Sequence, residues 1–248
     1  MTNRVELVFD FVSPNAYLIW WPLRELVNRY EAELDVIPVF LGGMHKLTGN
    51  APPMIRDAEV KGKNEYAMLE MQRFITRHRL TKYRLHPQFP FNSILLQRML
   101  LAADQDGRGV QFAETLLRPI WEEGLDIASP EAIGAVLGKA GFDAADLFAR
   151  AQTDEVKQGL VANTDAVVAR GAFGIPTMAV DTHILRIGNR IKLAPGKTPD
   201  EIEDILMRII PEEYLFHAHH WLILHGRYCC KARKPECERC VIADICKS

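Results

Sequence analysis

The chain has 248 residues, enough for one large domain or for a domain of roughly 150 to 200 residues with an appendage. A formal net charge of -2 and a pI near 6.5 argue against a surface that is wholly an electrostatic footprint for nucleic acid, so any such footprint must be local. No apolar run approaches the ~20 residues of a membrane span, and MTNRVELVFDF lacks the basic and then apolar layout of a secretory signal, so a cytoplasmic protein with no membrane partner is expected.

In chain order, Val5 to Phe11 is short, apolar and β-branched and ends at Ser13-Pro14, which predicts a buried strand feeding a helix over Leu18 to Tyr30. Leu34 to Leu41 reads as a second strand, ended by the Gly42-Gly43 break. A β-α-β opening favours a parallel, helix-covered sheet. Helical spacing then dominates about 46–169, over Glu65 to His78, Asn92 to Asp104, Gly109 to Glu123, Pro130 to Ala140, Ala144 to Arg150 and Val156 to Arg170, with Leu85 to Phe91 a proline-bearing loop. Ile175 to Val180 is strand-like. Asp181 to Leu193 suits either an irregular helix or a hairpin turning at Asp181-Thr182. Pro199 to Ile210 is a helix with acids in its first turn, and His217 to His225 is helical too.

Ser13 sits where a strand ends and a helix begins. Unpaired backbone N–H groups and the helix dipole favour an anion there, and a thiolate would gain from both. The same local sequence suits a plain N-cap. The wider pattern is more specific: FDFVSPNAYL, FLGGMHKLTGNAPP, PFNSILLQRM, WEEGLDI and GAFGIPT resemble, in order and spacing, the 2-hydroxychromene-2-carboxylate isomerases and kappa-class glutathione transferases. That resemblance runs from about Val5 to Met178. It implies a DsbA-like thioredoxin fold with a helical insertion, glutathione as cofactor, and reversible addition of its thiolate to a conjugated substrate.

By match, Ser13 would activate the glutathione sulfur, Asn50 would contact the tripeptide, and Ile175 would offer its backbone to the cysteinyl unit beside a cis bond to Pro176. Asn92, Trp121 and Asp126 match as well, with packing or capping as their ordinary roles. A nucleophile borrowed from a cofactor needs no protein cysteine, and residues 1–228 contain none. One departure stands out: the place of the family's Gly-x-Asp-Arg turn, which takes the γ-glutamyl end, holds Ile187-Gly188-Asn189-Arg190, without the aspartate.

All five cysteines lie in the last twenty residues, too clustered for a disulfide framework. Cys230-x6-Cys237-x2-Cys240-x5-Cys246 offers four soft thiolates that suit a 4Fe-4S cluster or structural zinc. VDTHILRIGNR, LAPGK, HHWLILHGRYCCKARKPEC and CERCVIADIC resemble the end of endonuclease III, which implies the 4Fe-4S cluster on Cys230, Cys237, Cys240 and Cys246. Cys229 falls outside that spacing and reads as a free or buried thiol. Lys231, Arg233 and Lys234, between the first two ligands, are candidate DNA-phosphate contacts or simply a solvated charge run. His219, His220, Trp221 and His225 read mainly as core. Asp181 matches the aspartate of the repair family, yet no helix-hairpin-helix with a nucleophilic lysine is present, so base excision is not expected.

The sequence therefore predicts an α/β thioredoxin-like domain at 1–180, with its insertion at about 46–169, and a small α-helical iron-sulfur tail at 181–248, with the cluster loop at 230–246. The first functional expectation is a glutathione-dependent isomerase or transferase, with a small molecule and glutathione as partners; the second is a DNA-binding repair fragment. Should 181–193 be helical, the sheet loses an edge strand, and pairing into a homodimer is expected.

Overall fold

A computed structural model describes residues 4–180, 183–196, 199–211, 213–214, 218, 221–222, 225–226, 228–231 and 235–246. The chain divides into two compact units, residues 4–179 and 180–248.

In the first unit, β1 (Arg4–Phe9) lies between β2 (Glu33–Pro38) and β3 (Thr177–Val180), and β1 and β2 run parallel with Leu7 opposite Val36. The helix α1 (Pro14–Arg29) makes the crossover between β1 and β2. Eight helices separate β2 from β3: α2 (Leu41–Thr48), α3 (Pro53–Arg56), α4 (Lys63–Arg77), α5 (Ile94–Gln105), α6 (Gly109–Glu123), α7 (Pro130–Lys139), α8 (Ala144–Arg150) and α9 (Asp154–Ala169). The central strand alternates its side chains between two apolar faces, as the period of two requires. Val5, Leu7 and Phe9 join the main core with Trp20, Phe112 and Trp121, whereas Val8 packs with Val39, Met44 and Val167 on the other face.

The helix α2 corrects the expected break at Gly42-Gly43. Both glycines lie inside it because the Phe40 ring covers them: a Cβ on Gly42 would stand 2.8 Å from the ring edge, and one on Gly43 3.1 Å. Its first N–H is satisfied from far away in sequence, since Leu41 N donates to Asp10 Oδ2 at 2.8 Å. Gln97, fully buried on α5, closes the same end of the sheet. Its amide donates to Phe9 O at 2.7 Å and Val39 O at 2.8 Å, and its Oε1 accepts from Phe11 N at 3.4 Å.

In the second unit, α10 (His183–Arg190) and α11 (Pro199–Ile209) pack around Ala194, Ile202 and Leu206. Of the two expectations for Asp181 to Leu193, irregular helix or hairpin, the described residues show the helix, over 183–190, and Asp181 itself lies outside the described residues. Gly188 permits the close approach: a Cβ there would meet Ala194 O at 2.9 Å and Ile202 Cγ2 at 3.1 Å. Asn189 belongs to the same packing, its side-chain amide donating to Gly196 O at 2.8 Å and its Oδ1 accepting from Gly196 N at 3.1 Å. Residues 187–190 therefore form helix, not the turn that the glutathione resemblance places there. No helix among the described residues is long and apolar enough to cross a membrane.

Candidate active site and candidate metal centre

Ser13 is the N-cap of α1. Its backbone is extended, Pro14 opens the helix, and Oγ accepts from Ala16 N at 3.3 Å. The cap also points across the molecule, because Ser13 Oγ donates to Ile175 O at 3.3 Å, and the Ile175-Pro176 bond is cis. Two segments 162 residues apart in sequence therefore meet at this hydroxyl, and Ser13 as a whole is only 4 % exposed. Asn50 joins them. Its Nδ2 donates to Phe173 O at 2.8 Å, two residues before Ile175, and its Oδ1 accepts from Ala51 N at 2.9 Å. Ser13, Asn50, Ile175 and Pro176 thus border the carboxyl end of β1, beside a helix N-terminus that attracts anions.

Asp10 is the buried group that the sequence reading passes over. It is fully buried one turn before Ser13, with Oδ1 accepting from Val12 N at 3.1 Å and Oδ2 from Leu41 N at 2.8 Å. Burial pushes its pKa up from 3.8 to about 6, against the pull of the Ser93 hydroxyl and of those two N–H groups. The carboxylate holds both the turn that presents Ser13 and the start of α2. An acid between Phe9 and Phe11 at the end of an apolar strand was the signal available in the sequence.

The other motif residues pack or cap. Trp121 is fully buried, donates from Nε1 to Phe11 O at 3.1 Å, and stacks with Tyr83. Asp126 Oδ1 accepts from Gln88 Nε2 at 3.1 Å and Ala128 N at 3.0 Å, and Asn92 Oδ1 accepts from Ile94 N at 3.0 Å. Asn92 also lines a surface cleft of 660 Å³ with Phe91, Leu95, Arg98 and Ile127; neither Ser13 nor Ile175 borders it.

In the second unit the cysteine loop is built from two short 3-10 turns, Cys237–Arg239 and Ala243–Ile245. It is tied back by Glu236 N donating to Cys229 O at 2.9 Å. Cys230 is buried, and Arg190 Nη1 reaches its Sγ at 3.5 Å and Lys231 O at 2.8 Å. Cys237 is exposed, while Cys240 and Cys246 are half-buried. The set of four thiols on one compact loop fits an iron-sulfur cluster by its donor chemistry. The tightest group is different: among the described residues His225, Cys229 and Cys240 bring their ligand atoms within 4.8 Å of one another. Cys229, expected to stand outside the metal site, belongs to this group, and so does His225, expected in the core. Trp221, also expected in the core, is 55 % exposed and leans on Tyr214. Lys231 is paired with Glu236, while Arg233, Lys234, His219 and His220 lie outside the described residues.

Comparison with known proteins agrees with both halves of this picture. The iron-sulfur binding domain of endonuclease III matches residues 230–246, which begin at Cys230 and end at Cys246. Endonuclease III of Rickettsia conorii is 57% identical over 88 residues, 36% of this chain and 42% of that protein; the Escherichia coli K12 protein is 50% identical over 93 residues, 38% and 44%. The chain thus spans about two fifths of the length of these curated relatives. Among solved structures, 2-hydroxychromene-2-carboxylate isomerase superposes with a TM-score of 0.59 at 23% identity, covering 71% of this chain and 84% of that one. A probable DsbA oxidoreductase from Streptomyces coelicolor gives 0.53 at 17% identity, covering 72% and 80%. Both likenesses are of fold. The DSBA-like thioredoxin domain matches residues 4–204, most of the sequence, and the chain belongs to that family, carrying an endonuclease III-type iron-sulfur motif at its C-terminal end.

Proposed function

We propose that the thioredoxin-like part, residues 1–180, is a glutathione-dependent isomerase or transferase whose sulfur site is Ser13. The observation that carries this reading is the Ser13 hydroxyl reaching Ile175 O at 3.3 Å beside a cis proline, in a unit whose residues include no cysteine to act instead. When bound, glutathione supplies a soft nucleophile that adds reversibly to a conjugated substrate. The chain's own residues prepare the place for it. Ser13 Oγ, which now donates to Ile175 O, would hold the sulfur by a hydrogen bond, beside the α1 N-terminus that favours a thiolate over a thiol. Asn50 and the Ile175-Pro176 backbone hold the tripeptide, and Asp10 fixes the turn on which Ser13 stands. Disulfide exchange is not part of this reading, because Ser13-Pro14-Asn15-Ala16 holds no thiol pair.

The proposal is tested by supplying glutathione and 2-hydroxychromene-2-carboxylate and following isomerisation. Turnover that requires glutathione and disappears in Ser13→Ala supports it; equal turnover in the two proteins, or none in either, overturns it.

For residues 181–248 we propose a 4Fe-4S cluster on Cys230, Cys237, Cys240 and Cys246, supported by the motif match over those positions. Lys231, Arg233 and Lys234 would touch DNA phosphates, a reading favoured by the endonuclease III relatives alone. Lys231 must leave Glu236 to do so. Base excision is not proposed, since the sequence lacks the lysine-bearing hairpin. Self-association through the β3 edge remains a proposal tested by the protein's mass in solution.

A further inference from the structure

We propose that the cysteine loop has a second way of holding metal, in which a single soft divalent cation binds His225, Cys229 and Cys240. The proposal does not depend on the glutathione reading, and its ligand set differs from that of the 4Fe-4S cluster.

The geometry is local. Cys229 N donates to His225 O at 3.0 Å, so the two residues stand one helical turn apart, the spacing that puts side chains on one face. Cys240 is brought to that face by the turn at Cys237–Arg239, which Cys240 N closes on Cys237 O at 3.1 Å. His225 Nε2 and Cys240 Sγ are then 3.8 Å apart, and all three ligand atoms lie within 4.8 Å of one another. That is the compactness one ion needs, whereas a four-iron cluster spreads its thiolates over four metal atoms. Cys230, a cluster ligand by spacing, instead meets Arg190 through its sulfur.

The chemistry fits as well. Two thiolates and a neutral imidazole balance the charge of a divalent ion, and both ligand types suit zinc or its spectroscopic substitute cobalt. Three protein ligands leave one tetrahedral corner for water or an added thiol. Because Cys240 belongs to both sets, the two occupancies exclude each other: a loop that holds the single ion cannot complete the cluster until the ion leaves.

The test uses the full chain, purified reduced and iron-free, titrated with Co²⁺ while the thiolate charge-transfer and tetrahedral ligand-field bands are recorded. One Co²⁺ per chain is expected. Cys229→Ser and His225→Gln should each weaken cobalt by more than the roughly 10- to 100-fold that loss of an outer-shell partner costs. Cys237→Ser and Cys246→Ser should bind cobalt like the parent, and Cys229→Ser should still assemble iron and sulfide. His225→Gln gives the same reading if Cys229→Ser fails to fold. The proposal is overturned if the parent shows no tetrahedral cobalt spectrum. It is equally overturned if Cys229→Ser and His225→Gln bind as the parent does, or if Cys237→Ser loses cobalt as Cys229→Ser does. None of these results bears on Ser13.

Discussion

The two units of this chain hold themselves together by different means. Residues 4–179 bury Phe9, Phe11, Trp20, Phe112 and Trp121 in a large core on one face of a three-stranded sheet, and Val8, Val39, Met44 and Val167 in a smaller one on the other. Among the described residues of 180–248, Ala194, Ile202 and Leu206 form a separate apolar cluster and Ile187 is buried as well, and a loop of thiols follows. Small units are ordinarily stapled by metal or disulfide, and the thiols of this one are the proposed holders of a cluster. The contrast teaches where each kind of chemistry can live. In the first unit the nearly buried Ser13 sits on turns that the core and Asp10 fix, whereas the second unit gathers its thiols on a loop of short turns.

The contrast can be broken most forcefully at the first core. Trp121→Ala removes a buried indole and its bond to Phe11 O, and should cost about 3–5 kcal/mol in urea unfolding. Trp121→Phe should keep glutathione-dependent turnover, which separates packing from catalysis; loss of turnover in a stable Trp121→Phe protein would contradict that assignment.

Next in size is Ser13→Ala, expected to lower turnover by roughly 10²- to 10³-fold, the cost of losing one preorganised hydrogen-bond donor. The melting curve should change far less.

Asp10 gives a pH signature that belongs to the first unit alone. Its carboxyl is raised to about 6 in the folded chain against 3.8 for the ordinary group, so between those values the folded protein holds a proton that the unfolded chain has released. Stability therefore falls as pH rises from about 4 to about 6 and stays at the lower level above, by an upper bound of roughly 3 kcal/mol. Asp10→Asn should flatten that slope in urea titrations at pH 4 and pH 7. An unchanged slope would remove Asp10 from the account.

The smallest effect sits in the second unit. Gly188→Ala pushes a methyl against Ala194 O and Ile202, and should cost ~1–3 kcal/mol. Proteolysis should then quicken at residues 180–248 while the first unit's melting stays in place.

Much of this was legible in the sequence because it was local. Gly109 to Glu123 and Ala144 to Arg150 are bounded as their spacing predicts, with Gly124 taking the left-handed cap after α6. Ser13 was found because a strand end, a cap and a proline stand together in five residues. What escaped was set at a distance. The helix α2 has two glycines that count against it, and its first N–H is completed by the Asp10 carboxylate from another segment. Asp10 reads as a flaw in an apolar strand until Leu41 is seen donating to it. The spacing rule that collected Cys230, Cys237, Cys240 and Cys246 also set Cys229 and His225 aside, since neither obeys it; only the turn at Cys237–Arg239 brings them to Cys240.

The central claim, that the α1 tip stabilises a thiolate through Ser13, is tested most directly by following the ultraviolet absorbance of the glutathione thiolate against pH in the presence of excess protein. The account predicts that bound glutathione ionises at a lower pH than free glutathione with the parent chain, and close to the free value with Ser13→Ala. Identical titrations for free glutathione and for glutathione with the parent chain would contradict it.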